Sequence, residues 1–328
     1  MAQFPDEQSD GGEFERQEDA FRQWVTADGA GGFPAVAGRY HLYISLACPW
    51  AHRTLIVRHL LGLEDAIGVT VADPVRNERG WAFRDGPGHS RDTVNGFKFL
   101  AEAYRASDLR FSGRVTVPVL WDRETRQIVN NSEDDICRMF AHAFAHLHQN
   151  QTDLFPASLA SEQNALSQLI YDTVNNGVYK AGFANSQAAY SKAATRLFEV
   201  LDDLDNRLAG QRYLLGSDFV ETDWRLFCTL IRFDPVYHGH FKCNVRLIRD
   251  YPHLSRYLCD LYQQPGIKPL VNFDHIKRHY YITHEDINPT RIVPIGPDLS
   301  WLNEPVDTIW HGAAGDFSEA VDTSGSQP

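Results

Sequence analysis

One cysteine in this sequence sits where a thiol becomes a nucleophile. The run Ser45-Leu46-Ala47-Cys48-Pro49-Trp50-Ala51-His52-Arg53 follows a β-prone stretch, and proline comes directly after the cysteine. Proline suits the first turn of a helix, where its missing N–H costs nothing. The pattern predicts Cys48 at a helix N-terminus, facing free backbone N–H groups and the positive end of the helix dipole. Both favour thiolate over thiol, so a lowered pKa is expected. The other four of the five cysteines, Cys137, Cys228, Cys243 and Cys259, mostly lie in apolar helical patterns and read as packing. No Cys-x-x-Cys pair occurs, which excludes a zinc ribbon and a disulfide framework. Ala51 stands where a dithiol motif holds its resolving cysteine. A mixed disulfide at Cys48 therefore needs an outside thiol to clear it, and glutathione is the expected one.

The elements that position Cys48 follow from periodicity. His41–Ser45 alternates as a strand, Cys48–Leu61 carries apolar residues at helical spacing, Gly62 ends that helix, and Ile67–Ala72 is the next strand. Residues 73–113 break the pattern with Pro74, Gly80, Gly86, Pro87 and Gly88, and read as a long insertion with partial helix. Val117–Trp121 and Gln127–Asn130 are two further strands, and a helix is expected from about Glu133 to His148. The order β-α-β, insertion, β-β-α is that of a thioredoxin-like domain. Arg114-Val115-Thr116-Val117-Pro118 fits the place where such a domain starts its third strand with a cis-proline. That geometry exposes the preceding backbone to an extended peptide.

Beyond residue 150 the character turns helical. Helices are expected at Ser161–Val178, Ala188–Leu208, Asp223–Asp234 and His253–Gln263. The chain thus divides into an extended or partly disordered arm (1–38), a thioredoxin-like domain (39–150), an all-α domain (155–284) and a wrapping tail rich in Pro, Gly and Asp (285–328). The fold class is α/β followed by all-α. A net charge of −12 argues against a nucleic-acid partner. No signal peptide or membrane-spanning run is present, so a cytoplasmic protein that does not bind membrane is expected. His142, His146 and His148 have no accompanying carboxylate or third ligand in a metal-binding pattern, so no metal is expected.

Longer motifs carry a resemblance. They include Trp24-Val25-Thr26-Ala27-Asp28-Gly29, Tyr43 to Arg53, Gly80-Trp81, Ser112 to Asp122, Tyr171 to Phe183, Arg232 to Tyr237, and Asn272 to Ile276. On these the chain resembles the glutathionyl-hydroquinone reductases, the Xi class of the glutathione transferase superfamily. The resemblance implies the glutathione transferase fold, a homodimer, and glutathione as co-substrate with no permanently bound cofactor. It implies that Cys48 attacks the sulfur of an S-glutathionyl-hydroquinone and that a second glutathione releases oxidised glutathione. It assigns Tyr179 as proton donor, with Tyr237 and Tyr280 hydrogen-bonding near the sulfur. It assigns glutathione binding to Trp81, to Arg114, Val115, Thr116, Val117 and Pro118, and to the pair at the start of the helix after the fourth strand.

That pair departs from the superfamily. Glu then Ser is usual, whereas this chain reads Ser132-Glu133. Ser132 is expected to cap the helix and Glu133 to bind the γ-glutamyl ammonium. A second departure is Val220, where Ser or Thr usually partners Asp223 at a helix start; losing such a cap costs about 1 kcal/mol. Two competing readings use the same residues differently. One is an omega-like thioltransferase or dehydroascorbate reductase; the other is a non-catalytic binding protein on the same fold.

Overall fold

The computed structural model describes residues 7–9 and 11–306. Its sheet is built from β1 (Tyr40–Ile44), β2 (Ile67–Val71), β3 (Val119–Asp122) and β4 (Gln127–Asn130), in the order β2-β1-β3-β4. β1 and β2 are parallel, with Leu42 opposite Val69; β3 runs antiparallel to both β1 and β4. Every residue of β1 is buried, as expected for a central strand covered on both faces. Helices α1 (Pro49–Leu60) and α3 (Glu133–His142) pack on each other, and α2 (Leu100–Ser107) packs against β4.

α1 ends where glycine is required. Gly62 has φ +64°, and its N–H and that of Leu63 bond back to His59 and Arg58 carbonyls. A Cβ there would also lie 2.6 Å from that of Gln149. The helix expected to reach His148 stops at His142, with a separate 3-10 turn over Ala145–Leu147.

The second half is helical. It comprises α4 (Ala160–Ile170), α5 (Gly177–Gly182), α6 (Gln187–Ala209), α7 (Glu221–Arg232), α8 (Pro252–Tyr262) and α9 (Phe273–Thr283). The single helix expected at Ser161–Val178 is instead α4, a π-helical turn at Tyr171–Asn175, and α5. The turn ends at Asn175, whose amide is drawn toward α7, donating to the Arg225 carbonyl (3.1 Å) and Thr229 Oγ1 (2.7 Å). A second π turn, Phe233–Tyr237, follows α7.

Two segments outside the regular elements follow fixed paths. The arm is ordered over its described residues: Phe14, Val25 and Phe33 are buried, and Gln23 bonds to the Val129 carbonyl beside β4. Apolar anchors spaced along a polar stretch give it a fixed path. The tail docks through Trp301 and Leu302, both buried, whose carbonyls accept from Cys259 and Gln263 of the α8 region. The rest of the tail, from residue 307, lies outside the described residues.

The insertion docks on α9, an element that the sequence reading did not single out. His279 and His275 each pair with an insertion carbonyl, of Pro74 and Pro87, at 2.7 Å. Asp92 organises the insertion by accepting from the backbone of Val94, Asn95 and Phe97 and from the Tyr43 hydroxyl.

Candidate active site

Cys48 is the N-cap of α1, with extended backbone (φ −78°, ψ 122°) and Pro49 in the first turn. Its Sγ donates to the Val117 carbonyl at 3.5 Å, and the Val117–Pro118 peptide is cis. Arg232, at the end of α7, fixes the loop before it. The guanidinium donates to the carbonyls of Ala47 (2.9 Å), Leu46 (2.9 Å) and Cys228 (2.7 Å). The helical half thus holds the nucleophile loop by its backbone.

The electrostatics correct one expectation. The Cys48 pKa is raised, not lowered. Burial dominates, and the opposing pull of the Ala51 and Trp50 N–H groups, Arg232 and Arg16 is weaker. The helix start is present, but the thiol is packed among side chains from both halves of the chain, so dipole and desolvation act in opposite directions.

The three tyrosines form one chain. Tyr179 and Tyr280 hydroxyls lie 2.6 Å apart, and Tyr280 and Tyr237 lie 2.9 Å apart. Tyr179 and Tyr280 line the cleft that holds Cys48; Tyr237 stands behind Tyr280 and does not line it. Tyr237 therefore touches the cleft only through the Tyr280 hydroxyl. Burial raises all three phenols, and the Cys48 charge raises Tyr179 further, so each keeps its proton at neutral pH.

The cleft is narrow, with a cavity volume of about 60 Å³, well below the range of most small-ligand sites. Trp81 stacks on His279 with centroids 5.0 Å apart at 17°, and the Arg76 guanidinium lies 5.3 Å from the indole. Burial, then the neighbouring Arg114, lowers Arg76 to about 10, which leaves it charged at neutral pH and this wall electropositive. His279 falls to about 3 through burial and Arg76, and so is neutral. Arg114, Val115, Thr116 and Val117 line the same cleft; Pro118 is buried behind them. Arg114 is paired at 2.5 Å with Glu7 of the arm, which is itself buried.

Several wall residues carried no signal in the sequence. Phe14 and Arg16 of the arm close the cleft, with the Arg16 guanidinium over Trp50 (4.8 Å) and Tyr179 (5.0 Å) and Nε donating to Asn176 (2.8 Å). His284 follows α9 and lines the cleft with Phe183. An arginine in a polar arm has no periodicity to mark it, and α9 hides its inward face behind histidines.

Ser132 and Glu133 stand apart from Cys48. Glu133 lines an adjoining cleft that shares Arg16, Trp50, Thr116 and Val117 with the first. Ser132 is the N-cap of α3, but its side chain makes no cap hydrogen bond, which corrects that expectation. Glu133 lies 3.4 Å from the buried Arg53, a guanidinium it shares with Glu221 at 3.0 Å. His142, His146 and His148 converge on no metal site: among the described residues no group of three or more potential ligands comes together.

The comparisons agree with this geometry. Residues 47–143 match the glutathione S-transferase N-terminal domain and residues 187–258 the glutathione S-transferase C-terminal domain. The chain is 52% identical over 309 residues to the glutathionyl-hydroquinone reductase YqjG of Escherichia coli, covering 92% of this chain and 93% of that one. The glutathione-bound structure of YqjG superposes with a TM-score of 0.86, covering 88% of this chain and 96% of that one. The glutathione transferase Xi of Phanerochaete chrysosporium superposes at 0.88 with 49% identity, covering 92% and 97%. The chain belongs to the glutathione transferase superfamily, and within it to the Xi-class glutathionyl-hydroquinone reductases.

Proposed function

We propose that the protein uses glutathione to reduce S-glutathionyl-hydroquinones, with Cys48 as nucleophile and Tyr179 as proton donor. The observation that carries this is a single cleft holding a monothiol at a helix start and a phenol that keeps its proton. Cys48 thiolate attacks the conjugate sulfur, forming an S–S bond to glutathione and breaking the bond from sulfur to the aromatic carbon. The bonding pair stays on that carbon, which takes the Tyr179 proton, and the hydroquinone leaves. A second glutathione thiolate attacks the mixed disulfide, releasing oxidised glutathione and Cys48 thiolate. Tyr179 regains a proton through the Tyr280 hydroxyl 2.6 Å away. Cys48 ionises against burial, so the neighbouring N–H groups and Arg232 serve mainly to limit that cost.

Trp81, Arg114 and the 115–118 segment receive glutathione in this reading, with Ser132 and Glu133 at its γ-glutamyl end. A thioltransferase or dehydroascorbate reductase on the same thiol needs no proton delivered to carbon, and so leaves Tyr179 without a task. The reading carries a reducing, cytoplasmic setting, supported by five unpaired cysteines. No described helix is long and apolar enough to cross a membrane. A homodimer is the assembly the resemblance implies, and sedimentation checks it. The deciding assay supplies glutathione and glutathionyl-menadiol to wild type and Cys48→Ala. Turnover is expected only with wild type; ready reduction of hydroxyethyl disulfide with none of the conjugate would overturn the reading.

A further inference from the structure

The arm reaches further than the walls of the first cleft. Asp19, half-buried, lines the adjoining cleft together with Glu133, Arg16 and Thr116. That cleft has a cavity volume of about 260 Å³ and runs on from Val117 past Asn131 to the start of α3. A tripeptide whose sulfur meets Cys48 and whose backbone lies along Val117 sends one end to Arg114 and the other into this second cleft. The carboxylate expected to receive the ammonium there, on Glu133, already faces Arg53 at 3.4 Å. Residue 132, where the superfamily has its acid, is a serine.

We propose that Asp19 of the arm supplies the carboxylate that binds the γ-glutamyl ammonium of glutathione, in place of the acid missing at position 132. This rests on the glutathione site proposed above. The Asp19 carboxylate is within reach of the Ser132 hydroxyl, beside the start of α3. Its titratable neighbours come from four elements: Glu133 on α3, Arg22 and Arg16 on the arm, Tyr171 on the π turn after α4, and Tyr104 on α2. Arg22 is committed to Asp135, with Nη2 donating at 2.9 Å, and Arg16 to Asn176 and the aromatic face of Trp50. Two carboxylates that repel each other across a cleft form a seat for a cation. Burial, then Glu133, raises Asp19 to about 7, so an arriving ammonium displaces a proton as it binds.

Calorimetry of reduced glutathione, and of its analogue lacking the γ-glutamyl amino group, on wild type and Asp19→Asn tests this. Wild type should prefer glutathione, and Asp19→Asn should weaken glutathione about 10- to 100-fold while leaving the analogue unchanged. Glutathione affinity of wild type should rise between pH 6 and 8 more than that of Asp19→Asn. Equal loss for both ligands, no loss for either, or parallel pH profiles would overturn the role of Asp19. Failure of wild type to bind glutathione at all would instead overturn the glutathione site itself, and this role with it.

Discussion

Tyr179 holds its proton because burial and the neighbouring thiol both oppose a phenolate. A general acid of this kind contributes about 100-fold or more to proton transfer. Tyr179→Phe should therefore slow turnover of a glutathionyl-hydroquinone about 100-fold and leave disulfide exchange near wild type; equal slowing of both would remove the proton-donor role. Cys48 gives the complementary test. Its thiolate is the reactive form, and burial moves the thiol upward from its ordinary value of 9.0. A raised pKa means little thiolate at neutral pH and more as pH rises. Alkylation of the ligand-free enzyme by iodoacetamide should then keep climbing to about pH 9 and beyond. A plateau near neutrality would show that the helix start outweighs burial. The sequence marked Cys48 because Cys-Pro after a strand is a local pattern. It did not reveal the sign of the pKa shift, because desolvation depends on the walls that Phe14, Tyr179 and Phe183 bring from distant segments.

Among the elements, those with a strong period were legible and those anchored by polar side chains were not. β1, α1, β2 and β4 lie within a residue or two of their expected ends. α9 was missed because its buried positions include His275 and His279, which read as polar until their rings are seen donating to insertion carbonyls. Its N-cap, Asn272, accepts from the His275 N–H at 3.0 Å and was a usable signal. The start of α7 shows a half-made cap. Asp223 accepts from the Val220 N–H (2.8 Å), the Leu214 N–H (2.9 Å) and the Tyr257 hydroxyl (2.9 Å). Val220, buried and extended (φ −122°, ψ 180°), has no oxygen with which to reciprocate. Val220→Thr keeps the branch and adds that oxygen, so it should stabilise the protein by about 0.5–1 kcal/mol in urea unfolding. A loss of stability would mean that the hydroxyl is buried without reaching the Asp223 N–H.

At the scale of the whole molecule, the sheet half and the helical half are joined by charge as well as by apolar packing. Arg53 of α1 lies 3.0 Å from Glu221 of α7, and both are buried. Arg225 of α7 in turn pairs with Asp134 of α3, and with Glu221 at 3.3 Å. Removing one partner strands the other, at a cost of about 3–5 kcal/mol. Glu221→Gln should lower stability by about 3 kcal/mol. Unfolding should remain a single transition if the halves fold as one unit; two separate transitions would show that this network is what couples them. The arm spans both halves, with Arg22 on Asp135 of α3 and Arg16 on Asn176 beside α5. It belongs to neither the sheet nor the helical bundle, yet it furnishes Phe14, Arg16 and Asp19 to the two clefts and Glu7 to the Arg114 that lines the first. Specificity can therefore diverge here by editing a peripheral peptide while the nucleophile and its scaffold stay untouched. A chimaera carrying the first 22 residues of a relative should inherit that relative's ranking of aromatic leaving groups with its own thiol chemistry intact, which makes the segment a natural cassette for redesign.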